Sequence, residues 1–269
     1  MVKNNQESWD SLYRNSGGVC TTPFSHMLNE KIREIIPEDV ETILDAGCGG
    51  GALMLFLSKA GFKIEGVDMS SEGVRNAVDD LQLNARVGDL CDLHEFADNS
   101  FDLVVCSEVT EHIPSQNLER IIAELFRVSS KYVITTNPYR EHLTYYQLVC
   151  QRCHTRYHPA GHIHSVDESF LHKYFDKHAE SLTFYYSGEK EWCSPLFAEL
   201  LRWGGYQVVV NLGLVCPVCG LPESEKKWSI PIRLLGHTYR ATRLTLRRLG
   251  VHSFANVLAM ATVRQNMHG

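Results

Sequence analysis

Two carboxylates and one imidazole stand within five residues of one another, in the sequence Glu108-x-x-Glu111-His112. On an α-helix, positions i, i+3 and i+4 share one face, so this spacing predicts that the three side chains point together. A later segment, Gly161-His162-Ile163-His164, offers further imidazoles. Carboxylate oxygens combined with imidazole nitrogens suit Mg²⁺, Mn²⁺ or Zn²⁺. Without a metal, His112 or His162 could act as a general base near neutral pH.

Four of the nine cysteines form two closely spaced pairs, Cys150-x-x-Cys153 and Cys216-x-x-Cys219. Each pair can present two thiolates from one tight turn, and the two pairs together can complete a tetrahedral Cys₄ site for structural zinc. A redox-active pair is the alternative for either one alone. Neither pair begins a predicted helix, however, and redox cysteines favour that position.

The chain shows no run of about 18 apolar residues, and its first ten residues are polar. We therefore expect a cytoplasmic protein whose cysteines are reduced. Two histidines near the first cysteine pair, His154 and His158, are left without a role. The other cysteines are interpreted as small buried or half-buried residues, namely Cys20, Cys48, Cys91, Cys106 and Cys193.

Residues 43–51, Ile-Leu-Asp-Ala-Gly-Cys-Gly-Gly-Gly, are predicted to form a strand that breaks into a turn. The glycines at 47, 49 and 51 allow positive φ angles and a close approach of the backbone to a ligand. The helix predicted to follow would turn its free N–H groups toward negative charge. The spacing also satisfies the dinucleotide fingerprint, so these nine residues alone leave a nicotinamide or flavin enzyme as an alternative.

Strands and helices are predicted to alternate along most of the chain. This alternation is typical of a doubly wound, mostly parallel α/β sheet that binds ligands at the carboxyl ends of its strands. An acidic residue follows two of these strands, Asp68 after 63–67 and Asp89 after 85–87. The predicted strands are 40–44, 63–67, 85–87, 101–106, 132–136, 181–186 and 256–263, and the predicted helices are 23–36, 52–60, 71–81, 118–128, 167–175 and 232–249.

The ordered series Leu-Asp-Ala-Gly-Cys-Gly-Gly-Gly, Gly-Val-Asp-Met-Ser, Val-Gly-Asp-Leu and Phe-Asp-Leu-Val-Val resembles class I S-adenosylmethionine-dependent methyltransferases. The resemblance covers about residues 40–190 and the last strand. It implies a Rossmann-like sheet of seven strands with helices on both faces, and S-adenosylmethionine as the cofactor. It also implies that Asp68 binds the ribose and that Asp89 lies near the adenine. The cofactor-binding residues that it implies are Asp45, Gly47, Cys48, Gly49, Asp68, Met69, Asp89 and Leu90.

The Glu-x-x-Glu-His motif with a later Gly-His resembles metal-dependent O-methyltransferases of ubiquinone biosynthesis and of small-RNA 3′ ends, in which the metal holds the acceptor hydroxyls. Carried over by position, the resemblance implies catalytic metal ligands at Glu108, Glu111, His112 and His162. The motif does not fix His164. The same Glu-His pair also follows this strand in methyltransferases that bind no metal, so a role in shaping the pocket stays open.

The breaks in the pattern divide the chain into a core and additions. The methyltransferase core is predicted over 40–138, 161–190 and 255–265. Residues 1–39 are predicted to form a helical lid, although their aromatic residues could equally pack on the sheet edge. The cysteine pairs fall in insertions at 139–160 and 191–230, and a zinc ion bound by both pairs would connect the two insertions. The remaining segment, 231–250, is predicted to be a basic amphipathic helix.

The formal net charge is −6, yet residues 226–269 contain eight Lys or Arg and no Asp or Glu. This basic segment could bind a phosphorylated or lipid-linked acceptor or touch a membrane surface, although a solvated helix face is the commoner explanation. The overall acidic charge and the lack of a recognisable RNA-binding module argue against RNA, and no DNA partner is expected. The basic side chains on the predicted helix are Arg240, Arg243, Arg247 and Arg248.

The combined patterns predict an enzyme that methylates a hydroxyl group on a small-molecule, glycan-linked or lipid-linked acceptor. A nitrogen acceptor remains an alternative. Two further hypotheses stay open, an RNA 2′-O-methyltransferase and a non-catalytic binding protein that uses a methyltransferase fold. The intact acidic and glycine positions of the cofactor motifs argue against the second.

Overall fold

The computed structural model describes residues 23–144, 147–150, 152–190 and 253–264, together with residues 6, 9, 10, 13, 14, 216, 218, 219 and 221. The predicted basic helix at 231–250 and most of the predicted insertion at 191–230 lie outside these residues. In the part of the chain that is described, no helix is long and apolar enough to cross a membrane.

The strands of the main sheet, numbered in chain order, lie side by side as β3 (Ala85–Val87), β2 (Lys63–Asp68), β1 (Thr42–Ala46), β4 (Phe101–Ser107), β5 (Ser129–Pro138), β9 (Ser253–Val263) and β8 (Ala179–Lys190). The pairings of β9 with β5 and β8 are antiparallel, and the other pairings in this sheet are parallel. The predicted Rossmann-like sheet of seven mostly parallel strands is therefore confirmed. The other two described strands, β6 (Leu148–Val149) and β7 (Arg156–Tyr157), form a separate two-stranded hairpin.

Helices cover both faces of the sheet. Successive residues of a strand alternate between the two faces, as Ile43 and Leu44 of β1 do by joining different apolar clusters. The cluster that contains Ile43 packs under the first two α-helices of the chain, and the cluster that contains Leu44 packs under the last two. The α-helices are α1 (Pro23–Ile35), α2 (Ala52–Lys59), α3 (Ser71–Arg75), α4 (Ser115–Val128) and α5 (Glu168–Phe175).

Helix α4 shows why the sequence forms these layers. Its buried residues recur at helical spacing and make one apolar face, while Glu119 and Arg120 between them are exposed. The helix leads without a loop into β5. Its apolar face packs on the sheet, in the same cluster as Val104 and Val133. The buried residues of the helix are Leu118, Ile121, Ile122, Leu125, Phe126 and Val128.

Several predicted boundaries are wrong in detail. The predicted helix at 71–81 is α-helical only to Arg75 and continues as a π-helical turn, Asn76–Asp80. Its Ala77 packs closely on the glycine turn, since a Cβ built at Gly51 would lie 3.0 Å from the Ala77 Cβ. The first strand begins at Thr42 rather than residue 40, because the Val40 N–H still closes a turn onto the Pro37 carbonyl at 3.3 Å.

The last three strands of the sheet are longer than predicted. Strand β9 lies between β5 and β8 and pairs with both along most of its length. Backbone hydrogen bonds to two neighbours extend a strand past its last apolar residue. The pattern of apolar residues in the sequence therefore underestimates the length of such a strand.

Asp102 fastens β4 to the start of β1. Its Oδ2 accepts hydrogen bonds from the Glu41 N–H, the Thr42 N–H and the Thr42 hydroxyl, each at 3.0 Å. Its Oδ1 lies 3.1 Å from the Lys131 ammonium. Partial burial acts to raise the pKa of Asp102, but these hydrogen bonds outweigh it and lower the pKa to about 2.

We predict that Asp102→Asn lowers the free energy of unfolding at pH 7 by about 1–2 kcal/mol, because the charged acceptor is lost. A lowered folded-state pKa stabilises the protein above the unfolded-state value of about 3.9 and stops doing so as pH falls through about 2. The difference between wild type and variant should therefore shrink below pH 4 in urea titrations. Asp80→Asn, at an exposed position, is the control. A difference that is the same at pH 7 and pH 3 would contradict this account.

Candidate functional site

The glycine turn that follows β1 is held tightly against its neighbours. Gly47, Gly49 and Gly51 have φ angles of 94°, 49° and 82°, which L-residues rarely adopt. The N–H groups of Gly47 and Cys48 both donate to the Val67 carbonyl, at 2.8 and 3.1 Å. A Cβ at residue 47 would lie only 2.4 Å from Cγ2 of Val109. Glycine is therefore required here by both backbone angle and space.

Two carboxylates, Asp45 buried and Asp68 half-buried, stand beside this turn. Asp68 accepts hydrogen bonds from the Gly49 N–H at 2.8 Å and from the Ser70 N–H at 2.7 Å. Asp45 is 2% exposed, and no described residue bonds its Oδ2. Burial raises the pKa of Asp68, and burial together with the Asp68 charge raises the pKa of Asp45 to about 8. Both side chains thus lie where a ligand could compensate the cost of burying them.

The other predicted cofactor residues divide into buried and accessible ones. Cys48 is buried, and burial raises the pKa of its thiol far above the ordinary range, so it packs as a neutral side chain. Leu90 is also buried, and Met69 is half-buried. Asp89 is exposed, with its Oδ1 accepting a hydrogen bond from the Cys91 N–H at 2.9 Å. These residues follow β1, β2 and β3, which places them along one edge of the sheet.

Described residues of the N-terminal segment lie over the same edge. A Cβ built at Gly49 would lie 1.9 Å from the hydroxyl oxygen of Tyr13. Asp10 accepts a hydrogen bond from the Ser70 hydroxyl at 2.6 Å. The Trp9 ring meets the His112 ring edge-on, with 4.9 Å between centroids. These contacts fit the predicted lid, and the domain division as a whole stays a prediction.

The Glu-x-x-Glu-His motif does not lie on an α-helix, and that prediction is wrong. Glu108 has a left-handed φ of 57°, and Thr110–His112 form a single 3₁₀ turn. The Glu108 N–H donates to the Thr136 carbonyl at 3.0 Å, which keeps this residue in the sheet after β4 ends. A Glu at positive φ turns the chain sharply, so the motif's side chains are brought together by a turn rather than by helical periodicity.

Three of the predicted catalytic residues form a compact group. Glu111, His112 and His162 each offer one ligand atom, and these atoms all lie within 4.8 Å of one another. The Glu111 side chain is 1% exposed, with its Oε1 3.9 Å from Nε2 of His112. The His112 and His162 rings have centroids 4.8 Å apart. Backbone hydrogen bonds hold the two segments together, since the Ile163 N–H donates to the Glu111 carbonyl at 2.9 Å.

Glu108, the fourth predicted ligand, lies outside this compact group. Its Oε1 accepts hydrogen bonds from the Asn256 amide at 2.8 Å and from the Thr136 hydroxyl at 3.1 Å. Burial raises the pKa of Glu108 to about 7. Burial and the nearby Glu108 charge also raise the pKa of Glu111 well above its usual value. Glu108 is thus close enough to interact electrostatically with the group.

Polar atoms inside the group lack partners. Oε1 of Glu111 and Nδ1 of His112 are buried without a hydrogen bond from any described residue. Burial, followed by the neighbouring His162, lowers the pKa of His112 to about 3, so His112 is neutral at pH 7. Neutral imidazole and carboxylate are the forms in which these side chains bind metal ions.

Sequence reasoning missed Glu141 and gave no role to His158. The structure places both beside His162, in a second group whose ligand atoms lie within 4.8 Å of one another. Glu141 Oε2 makes a very short contact with Nδ1 of His162, and Glu141 Oε1 lies 3.6 Å from Nε2 of His158. A single Glu in an irregular stretch rich in Tyr and His carries no spacing signal that could have found it.

His164 serves elsewhere in the loop. Its Nε2 lies 2.8 Å from the carbonyl oxygen of Ile113, and its ring is tilted against Phe170 with 5.3 Å between centroids. The structure therefore places His164 as an anchor for the loop and does not bring it into either group.

The two cysteine pairs meet in space although 63 or more residues separate them in sequence. The Sγ atoms of Cys150 and Cys219 are 3.5 Å apart, those of Cys153 and Cys216 are 3.6 Å apart, and all four lie within 4.8 Å. Hairpin β6–β7 carries the first pair, with the Cys150 N–H donating to the Thr155 carbonyl at 2.9 Å. The donor set and its spacing fit a tetrahedral zinc ion.

Residues 44–132 match a family model described as a methyltransferase domain. A protein of Xanthomonas euvesicatoria pv. vesicatoria named ubiquinone biosynthesis O-methyltransferase is 31% identical over 121 residues, or 41% of this chain and 51% of that protein. A protein of Ralstonia nicotianae with the same name is 34% identical over 91 residues, or 31% of this chain and 37% of that protein. The chain thus matches about half, or less, of the length of these curated relatives.

The fold agrees with a solved structure as well. A crystal structure of a SAM dependent methyltransferase from Archaeoglobus fulgidus has a TM-score of 0.55 and 16% identity, covering 88% of this chain and 93% of that one. The strand order and the glycine turn agree with the methyltransferase domain that residues 44–132 match, so the predicted resemblance to class I S-adenosylmethionine-dependent methyltransferases is confirmed. Within that class, this chain is similar over its core to proteins named as O-methyltransferases.

Proposed function

We propose that this chain transfers a methyl group from S-adenosylmethionine to a hydroxyl oxygen of a small-molecule, glycan-linked or lipid-linked acceptor. The observation that carries the proposal is the buried group of Glu111, His112 and His162, which stands next to the glycine turn. Val109 links the two, because its side chain lies against Gly47 while Glu111, the first residue of the group, follows two positions later. The names of the curated relatives support oxygen as the acceptor atom.

The residues at the glycine turn fit the cofactor. The turn is closed to any Cβ, and the buried Oδ2 of Asp45 has no described partner. Asp68 accepts two backbone N–H groups, which leaves its carboxylate lone pairs for ribose hydroxyls. Asp89, Met69 and Leu90 would line the adenine side, with Cys48 packed behind the turn. S-adenosylmethionine supplies a methyl group on a sulfonium ion, which needs alignment and a dry site rather than a covalent enzyme intermediate.

The residues at the second centre fit a divalent cation. Glu108, Glu111, His112 and His162 offer oxygen and nitrogen donors, and the raised pKa values of both Glu side chains indicate carboxylates whose charge is poorly compensated. A divalent cation there would lower the pKa of an acceptor hydroxyl. His112 is poorly suited to the alternative role of general base, because its pKa of about 3 leaves it little affinity for a proton at neutral pH.

We further propose that Cys150, Cys153, Cys216 and Cys219 bind one structural zinc ion. A Cys₄ site has no open coordination position, so it would connect segments of the chain and take no part in methyl transfer. The proposal rests on the mutual approach of four sulfur atoms from two distant turns.

The hypothesis of RNA methylation draws on the Glu-x-x-Glu-His resemblance and on the basic segment, whose predicted helix at 231–250 lies outside the described residues. The same holds for the proposed contact of Arg240, Arg243, Arg247 and Arg248 with a membrane or an anionic acceptor.

Asp68→Ala should weaken S-adenosylmethionine binding about ten- to a hundredfold, because charge-assisted hydrogen bonds to the ribose are lost. Isothermal titration calorimetry gives the affinity directly. Asp80→Ala, at an exposed position, is the matched control and should bind as wild type does. An unchanged affinity in Asp68→Ala would contradict the assignment.

Turnover should require both the cation and its ligands. We expect wild type to form S-adenosylhomocysteine with a panel of hydroxylated acceptors in the presence of Mn²⁺ or Mg²⁺, and to lose at least tenfold in rate with EDTA or with Glu111→Gln. Glu119→Gln, whose side chain is 65% exposed, is the control. Turnover that neither EDTA nor Glu111→Gln reduces would exclude a catalytic cation. Tight cofactor binding with no turnover on any acceptor would favour the non-catalytic hypothesis.

Protein purified without chelator should contain one zinc ion per chain by mass spectrometric metal analysis. Cys219→Ser should lose that zinc and unfold at a lower temperature, because a thiolate ligand is removed. Cys91→Ser changes a cysteine outside the cluster and should retain both zinc and stability. Wild-type protein without zinc would refute the site.

A further inference from the structure

Glu141 contacts His162, one of the members of the proposed cation site. It follows the end of β5 and its side chain is 11% exposed. Its two oxygens face two imidazoles, Nδ1 of His162 and Nε2 of His158, whose side chains are 12% and 7% exposed. Three polar side chains are thus buried together outside the residues that the sequence motif identified.

The contact between Glu141 and His162 decides where the imidazole proton lies. An ionised carboxylate can only accept hydrogen bonds, so the Nδ1 of His162 must donate to it. Both oxygens of Glu141 face ring nitrogens, which can carry the protons that an ionised carboxylate accepts. A neutral imidazole that carries its proton on Nδ1 has its lone pair on Nε2.

His158 is oriented in the complementary way. Its Nδ1 accepts a hydrogen bond from the backbone N–H of His162 at 3.3 Å, so the proton of a neutral His158 lies on Nε2, the nitrogen that faces Glu141. A cation bound by Glu141, His158 and His162 would have to displace these protons. The geometry therefore favours a set of hydrogen bonds over a second metal site in this group.

We propose that Glu141 is a positioning residue, which holds His162 in the Nδ1–H tautomer so that Nε2 presents its lone pair to the site of Glu111 and His112. This inference rests on the proposed function for the role of that lone pair, as a metal ligand. The arrangement itself, a carboxylate bonded to the far nitrogen of an imidazole, is the one that orients most metal-binding histidines. His158 supports it by accepting a hydrogen bond from the His162 N–H, with its Nε2 3.6 Å from the same carboxylate.

The test reads the tautomer directly and needs no metal and no acceptor. Long-range ¹H–¹⁵N spectra of imidazole-labelled protein at pH 8, with EDTA present and with His162 assigned by His162→Gln, report which nitrogen carries the proton. We expect the Nδ1–H form in wild type and in Glu141→Gln, which keeps an acceptor oxygen of the same reach, and a shift toward Nε2–H in Glu141→Ala. Glu180→Ala, at an exposed position on β8, is the control.

A second measurement tests the consequence. Titration with Mn²⁺ alone should give an affinity ten- to a hundredfold weaker in Glu141→Ala than in wild type, with the affinity for S-adenosylmethionine unchanged. If wild type binds no Mn²⁺, the cation in the proposed function is wrong while the tautomer result still stands by itself. An Nε2–H tautomer in wild type, or a tautomer that Glu141→Ala leaves unchanged, would overturn the inference.

Discussion

The burial of carboxylates at one edge of the sheet is the constraint on which the rest of the site depends. Asp45 and Asp68 lie at the carboxyl ends of β1 and β2, and Glu108 and Glu111 follow β4, all with raised pKa values. Removing an ionised carboxylate from water costs several kcal/mol unless hydrogen bonds or opposite charge offset the loss. The sheet offers only a partial offset, and the orphaned oxygens of Asp45 and Glu111 are where a bound cofactor or cation would complete it.

The antiparallel strand β9 contributes to this edge as well as to the core. Its Asn256 donates to Glu108, and the adjacent strand β5 carries Asn137, whose amide donates to Glu111 at 2.9 Å and to Thr110 at 2.6 Å. Because Pro138 and Asn256 are register partners, the two amides come from neighbouring rungs of one ladder. Two neutral donors therefore fix both carboxylates without neutralising them, which preserves their capacity to bind a cation.

The sequence predicts those parts of the molecule that depend on local chemistry. The glycine turn could be predicted because its φ angles require glycine. The alternation of strands and helices could be predicted because the apolar residues of each element recur at the period of that element. The Glu111, His112 and His162 cluster could be predicted from the motif, but its geometry could not, since the positive φ of Glu108 replaces a helix by a turn. Glu141 could not be predicted, because it reaches His162 only through the closing of a loop of about twenty residues.

The cysteine cluster and the histidine cluster are consecutive parts of one segment. Hairpin β6–β7 carries Cys150 and Cys153, and His158 follows directly after Tyr157 at the end of β7. A two-stranded hairpin has little stability of its own, so its position depends on what fastens it. The sulfur atoms of Cys219 and Cys216, from elsewhere in the chain, lie 3.5 and 3.6 Å from those of Cys150 and Cys153, and zinc there would fix the hairpin. An ion that touches no substrate would thus hold His158, and through Glu141 the orientation of His162, from outside the site.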